Sequence, residues 1–195
     1  MLLDNDFELL EQSDFAMNEI SASEKKIYFI TGASGVGKTT LVSELSKKYK
    51  NKTWSFLHFD QSDVPSLAEM SKEFGSPSNW QKAKAFEWIN KLVHNYPNER
   101  IFFEGQVNLE FIRRGFEKEN FKNYVIILLD CSEDVMAKRL VRDGNQPELF
   151  NADMRIWLKF LRNQAKEFGA FRIDTSELSK SELVSVFEDA VDLKS

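Results

Sequence analysis

The segment Gly32-Ala33-Ser34-Gly35-Val36-Gly37-Lys38-Thr39 constrains the chain more than any other, because it satisfies GxxxxGK[ST] at every fixed position. Its setting matters as much as its letters. The apolar run at 27–31 reads as a strand leading into it, and residues 38–49 read as a helix that carries Leu41, Val42 and Leu45 on one side. A glycine-rich turn between strand and helix lets successive backbone N–H groups curl around an anion, and the amino end of the helix adds its partial positive charge. Gly32, Ala33, Ser34, Gly35, Val36, Gly37, Lys38, Thr39 and Thr40 are therefore candidates for binding the phosphates of a nucleotide. Lys38 is expected at the β- and γ-phosphates and the Thr39 hydroxyl at Mg²⁺. A fortuitous glycine-rich turn is the competing explanation, and the agreement of motif with context argues against it.

Downstream, short apolar runs alternate with segments of helical period, the pattern of a parallel sheet covered by helices on both faces. Strands are expected at 26–31, 53–60, 100–104, 124–130 and 171–173, with helices at 38–49, 78–96, 109–120, 132–141, 151–168 and 179–193. The runs at 100–104 and 124–130 are almost continuously apolar, as strands with two covered faces tend to be. Ser78, Ser132 and Asn151 are expected N-caps, and Gly169 an expected stop. The fold class is thus α/β, a doubly wound parallel sheet. Residues 1–24 stand apart, since they carry Asp4, Asp6, Glu8, Glu11, Asp14, Glu19 and Glu24 and no Lys or Arg. They read as an acidic extension, either a surface helix or a docking segment for a protein partner. Residues 25–195 read as one domain, with 61–99 as the insertion in which an acceptor pocket is expected.

Composition narrows the partners. Outside the extension, 26 bases face 24 acids with no basic stripe, so a nucleic acid is not an expected partner. With 195 residues, 42% of them hydrophobic, the chain suits one sizeable core. A single Cys131 and two distant histidines, His58 and His94, offer neither a disulfide framework nor zinc-ligand spacing. Neither a secretory leader nor a bilayer-length apolar stretch is recognised, which points to the cytoplasm and away from a membrane.

In a doubly wound sheet the ligand lies outside the carboxyl ends of the strands. Asp60 ends the run at 53–60 and Glu104 ends the run at 100–104, so both carboxylates are expected beside the phosphate loop. They are candidates for the Mg²⁺ shell and for accepting a proton from an acceptor hydroxyl, and the two roles are not divided between them. Each is also readable as a strand-end acid that caps a turn or pairs with a surface base. Arg139 and Arg142, before a loop at 143–150, are candidates for neutralising charge that develops on the γ-phosphate. Arg155 and Arg162 lie beyond, and all four are also readable as surface arginines. Trp80 and Trp88 read as core, Lys82 and Lys84 as residues able to face an acceptor pocket, His58 as a packed strand residue, and Cys131 as a small buried filler.

The phosphate loop, Glu104-Gly105, Arg139 and Arg142 before a short loop, and Ile173-Asp174-Thr175-Ser176 together resemble the small P-loop kinases related to adenylate and shikimate kinases, over about residues 25–190. The resemblance implies a five-stranded core, ATP and Mg²⁺, a lid over residues 142–153, and Asp174, Thr175 and Ser176 running past the adenine. It also implies transfer of the γ-phosphate to a small-molecule acceptor. Glu104-Gly105-Gln106 stands where nucleotide kinases usually show Asp-Gly, and no arginine constellation of an adenylate-type acceptor site is recognised, so the acceptor stays open. Two other functions share the loop: a regulatory NTPase whose nucleotide state controls a protein partner, and a toxin- or resistance-type phosphotransferase acting on a sugar or antibiotic. No Asn/Thr-Lys-x-Asp tetrapeptide for reading guanine occurs, and the chain is short for an AAA-type motor with a helical lid domain.

Overall fold

In the computed structural model of the chain, residues 25–59, 64–143 and 146–193 are described. Five strands, β1 (Lys26–Thr31), β2 (Ser55–His58), β3 (Arg100–Glu104), β4 (Tyr124–Asp130) and β5 (Phe171–Asp174), form one parallel sheet in the order β2-β3-β1-β4-β5. The helices are α1 (Lys38–Lys48), α2 (Leu67–Phe74), α3 (Pro77–His94), α4 (Leu109–Lys118), α5 (Glu133–Lys138), α6 (Ala152–Phe168) and α7 (Lys180–Ala190). From β1 the chain winds to one side through β2 and β3, then crosses to β4 and β5 on the other. The winding reverses at β1, and a crevice forms at the carboxyl ends there.

Period-two alternation sorts the strand side chains between the two faces. Tyr28, Ile30, Phe102, Ile127 and Leu129 face α1 and α7, where Leu41, Val42, Leu45, Val184 and Phe187 meet them. Ile27, Phe29, Ile101 and Phe103 face α3 and α4, against Trp88, Ile89, Ile112 and Phe116. Leu128 packs on α6 through Leu161 and Ala165. Tyr28, Phe102 and Phe56 stack in a row, with centroids 4.8 and 5.1 Å apart and planes within 8°. Burying each such ring contributes roughly 2–3 kcal/mol, and each stacked pair adds about 1 kcal/mol. The row has a positional consequence: Glu104, two residues after Phe102, must share its face, and that face is covered by α1 and the loop feeding it.

The sequence expectations hold for the five parallel strands and need correction in detail. Strand β2 occupies Ser55–His58 rather than 53–60, and Asp60 lies outside the described residues. Helix α2 was not expected; Ser66 and Glu69 form a reciprocal capping box at its start, and Gly75 ends it at φ +78°. Helix α3 starts at Pro77 with Ser76 as its cap instead of Ser78, since proline suits the first helical position. The expected helix at 132–141 stops at Lys138 and continues as a π-helical turn, Arg139–Asp143, after which Pro147–Leu149 forms a 3₁₀ turn. Ser132, Asn151 and Gly169 cap or stop their helices as expected. The extension at 1–24 and residues 144–145 of the expected lid also lie outside the described residues.

Candidate functional site

The phosphate loop joins β1 to α1 as its sequence requires. A Cβ at Gly32 would lie 2.4 Å from the Leu129 carbonyl oxygen, so only glycine fits where the loop leaves the sheet. Gly37 precedes α1 with φ +103°, a conformation that other residues rarely adopt. α1 is the one described α-helix whose N-cap makes no side-chain hydrogen bond, and its first turn carries no acid. Its leading N–H groups and dipole are left to an anion. The Lys38 ammonium donates to the Ala33 carbonyl at 3.0 Å, folding the side chain back over its own loop.

On the β2–β3 side of the loop, Glu104 is buried at the end of β3, 7% exposed. Register sets His58, Glu104 and Ile30 in one row across β2, β3 and β1. The Thr39 hydroxyl donates to Glu104 Oε1 at 3.0 Å, and His58 Nδ1 lies 2.7 Å from the same oxygen. The Ser34 hydroxyl donates to Gln106 Oε1 at 3.0 Å. Gln81, from α3, splints the segment after β3: its Nε2 donates to the Gln106 carbonyl at 3.1 Å and its Oε1 accepts from the Asn108 N–H at 3.2 Å. Thr31 does the same from below, donating to the Val107 carbonyl at 2.7 Å and accepting from the Val107 N–H.

On the β4–β5 side, a cavity of about 530 Å³ opens beside the loop. Gly35, Gly37, Lys38, Thr39, Arg139 and Lys180 line it, with Thr40, Leu140, Gln146, Leu178, Ser179 and Leu183. Arg139 grips the segment after β5, donating to the Thr175 hydroxyl at 2.8 Å and to the Thr175 carbonyl at 2.7 Å. The same hydroxyl donates to the Val36 carbonyl at 2.9 Å, so Thr175 couples this segment to the phosphate loop. Ser176 donates twice to the Asp174 carboxylate and holds that carboxyl below its usual range, its hydroxyl contributing most.

Several expected residues stand elsewhere. Asp174, Thr175 and Ser176 do not line the cavity; Leu178, Ser179 and Lys180 do. Arg142 is exposed on the π-helical turn, away from the cavity lining, whereas Arg139 reaches it. Arg162 is drawn to Asp130, its Nε 2.8 Å from Oδ2, and Arg155 lies over the Phe150 ring at 5.0 Å. Lys84 pairs with Glu87 at 2.7 Å, and Lys82 lies 5.8 Å from the Phe86 ring centre, both along α3 itself. Trp80 and Trp88 are core, and the buried Cys131 thiol is pushed up to about 11 chiefly by burial. Sequence reasoning missed His58 as the partner of Glu104, Gln106 as the partner of Ser34, and Lys180. For His58 and Gln106 the available signal was a polar residue at or just past the end of an apolar strand; Lys180, at the start of α7, carried none.

A phosphate loop at the reversal point of a parallel sheet, with a buried strand-end carboxylate on its threonine and a cavity beside it, defines a P-loop nucleotide-binding domain. The chain belongs to the AAA domain family, whose model matches residues 29–158. No match was found among curated protein sequences. Among solved structures, a shikimate kinase from Acinetobacter baumannii in complex with shikimate is similar with a TM-score of 0.59 at 16% identity, covering 87% of this chain and 95% of that one. A gluconokinase from Sinorhizobium meliloti 1021 is similar at 0.56 and 17%, covering 88% and 96%. The tunicamycin resistance protein of Deinococcus radiodurans is similar at 0.56 and 16%, covering 86% and 95%. At such identities the likeness is one of fold, and it extends over nearly the whole of each of those chains. None of the described helices is long and apolar enough to cross a membrane.

Proposed function

We propose that the chain is a cytoplasmic, ATP- and Mg²⁺-dependent phosphotransferase that moves the γ-phosphate of ATP onto a hydroxyl of a small molecule. The observation that carries this reading is the Glu104–Thr39 hydrogen bond, which joins a buried carboxylate to the hydroxyl of the phosphate loop. These are hard oxygen donors of the kind magnesium takes, and they fit the ion as a pair that would hold it directly or through its waters. When bound, the ion supplies charge neutralisation on the phosphoryl oxygens. The fold shared with a shikimate kinase and a gluconokinase supports transfer over regulation, because the similarity spans those proteins almost end to end.

The residues divide the work by position. Lys38 leaves the Ala33 carbonyl for the β- and γ-phosphates and stabilises the charge that grows during transfer. Thr39 and Glu104 hold the ion's shell, and the N–H groups from Gly32 to Thr40 bind phosphate oxygens. Arg139, fixed by Thr175, contributes charge to the nucleotide cavity, and the segment from Asp174 to Ser176 supports that wall. Arg142, on the turn leading to the lid at 142–153, is the arginine able to approach when the lid covers the nucleotide. Asp60, outside the described residues, stays a candidate for receiving the acceptor proton.

The test is ADP release from Mg·ATP, alone and with a pooled panel of hydroxyl compounds, for the wild-type chain and Lys38→Ala. Acceptor-dependent release is expected, reduced at least about a thousandfold in Lys38→Ala with the melting temperature little changed. Slow hydrolysis indifferent to every acceptor would instead make the chain a regulatory NTPase.

A further inference from the structure

The described cations of the site lie on one flank of the phosphate loop. Lys38, Arg139 and Lys180 all line the cavity on the β4–β5 side, where a nucleoside triphosphate needs them. The β2–β3 side, where the second substrate must approach the γ-phosphate, is built otherwise. Prominent among its described polar groups are His58 and Glu104, joined to each other, with Ser34, Gln106 and Gln81. One of these is an acid, three are uncharged, and the imidazole is already turned to the acid. We infer that the acceptor is a hydroxyl compound that carries no phosphate or carboxylate, an inference that rests on the phosphotransferase reading and names its substrate class.

Three further observations carry it. First, among the described residues 64–74 that follow β2, the one Lys or Arg is Lys72, exposed in the last turn of α2. Second, the cations of α3 are spent along the helix: Lys84 and Lys91 both meet Glu87 at 2.7 Å, and Lys82 sits by the Phe86 ring. The arginines of α4 pair within that helix too, Arg113 with Glu117 and Arg114 with Glu110. Third, Glu104 is itself buried, so an anionic acceptor would bring negative charge up to a buried carboxylate and a γ-phosphate together. Like charges brought together in a desolvated site are strongly unfavourable unless a cation lies between them, and the Mg²⁺ proposed here is already shared by Glu104 and the nucleotide phosphates. Lys38 is expected to be taken by the nucleotide. A carboxamide such as Gln106, its Oε1 fixed by Ser34 and its Nε2 turned away from that hydroxyl, instead suits the donor and acceptor pattern of an alcohol.

The experiment compares matched acceptors on the full-length chain with Mg·ATP: adenosine against adenosine monophosphate, glucose against gluconate and glucose 6-phosphate, and glucosamine as a cationic member. At least one non-anionic compound is expected to raise ADP release about tenfold or more above the basal rate. Its kcat/KM is expected to exceed that of its anionic counterpart by about 100-fold. Stronger stimulation by an anionic member overturns the inference and leaves the phosphotransferase reading standing. Hydrolysis that no member stimulates but that Lys38→Ala removes overturns both. Gln106→Arg supplies the missing cation and is expected to narrow the gap between a matched pair about tenfold. A folded Gln106→Arg protein with an unchanged ratio counts against the inference, and the wild-type comparison decides the matter if that variant fails to fold.

Discussion

Glu104 closes β3 and Asp130 closes β4, one on each side of the strand that feeds the phosphate loop, and both are buried. Asp130 is wholly enclosed and meets two guanidiniums: Arg162 Nε at 2.8 Å and Arg172 Nη2 at 2.6 Å, both on Oδ2, while the Cys131 N–H donates to Oδ1 at 2.9 Å. Its backbone carbonyl also accepts from the Thr175 N–H at 2.8 Å. Glu104 meets a hydroxyl and an imidazole instead. A carboxylate held by two arginines has its charge balanced and serves to knit α6, β4 and β5 together. A carboxylate facing a threonine hydroxyl keeps lone pairs that a cation can use. Two acids at equivalent strand ends thus divide into a structural staple and a candidate ligand, and the difference lies in the charge of their neighbours.

Replacing each acid by its amide tests whether the two carboxylates differ in this way. Glu104→Gln keeps shape and the contact to Thr39 but removes charge, so kcat is expected to fall about 100-fold or more, with stability within about 1 kcal/mol of wild type. Steady-state turnover and urea denaturation read the two quantities, and lost stability with intact kcat would make Glu104 a second staple. Asp130→Asn is expected to do the reverse. It leaves two guanidiniums without a counter-charge, but these are 31% and 49% exposed, so solvent screens part of the loss. A destabilisation of about 2 kcal/mol is expected, with kcat within about threefold.

The arginines sharpen the contrast at lower amplitude. Arg139→Ala removes the grip on Thr175 and a cation from the cavity wall, so ATP affinity, measured by titration calorimetry, is expected to weaken about tenfold. Arg142→Ala is expected to slow transfer about fivefold with affinity unchanged; a loss of stability alone would detach Arg142 from the lid. The smallest effect concerns the staple's neighbour. Burial raises the Cys131 thiol to about 11, so at pH 8 only about one molecule in a thousand presents the thiolate. Native alkylation by iodoacetamide should lag far behind a denatured control, and fast alkylation would reveal that the junction of β4 and α5 opens readily.

Much of the architecture was legible because its signals are local. The phosphate loop and the strand-end position of Glu104 depend on residues adjacent in sequence, and the caps Ser132 and Asn151 act within three residues of themselves. Helix α2 was also legible in principle, since Ser66-x-x-Glu69 is a capping box, but it has only one buried residue, Met70, and so lacks a strong apolar period. The π-helical turn at Arg139–Asp143 leaves no pattern that alternation detects. The site's partnerships were hidden for a different reason. His58 and Glu104 are 46 residues apart, Ser34 and Gln106 are 72 apart, and Arg162 and Asp130 are 32 apart. Each pairing requires strand order or helix placement to be known first.

Short-range signals suffice to place a phosphate loop on a strand–turn–helix within a parallel α/β sheet, because backbone freedom at glycine, apolar alternation and helix capping act over a few residues. Which buried acid is neutralised by arginine, which meets the loop threonine, and on which flank of the loop the described cations gather depend on the assembled sheet. Those outcomes follow from the order β2-β3-β1-β4-β5 and its register, which bring distant side chains within hydrogen-bond reach, where local charge selects their partners.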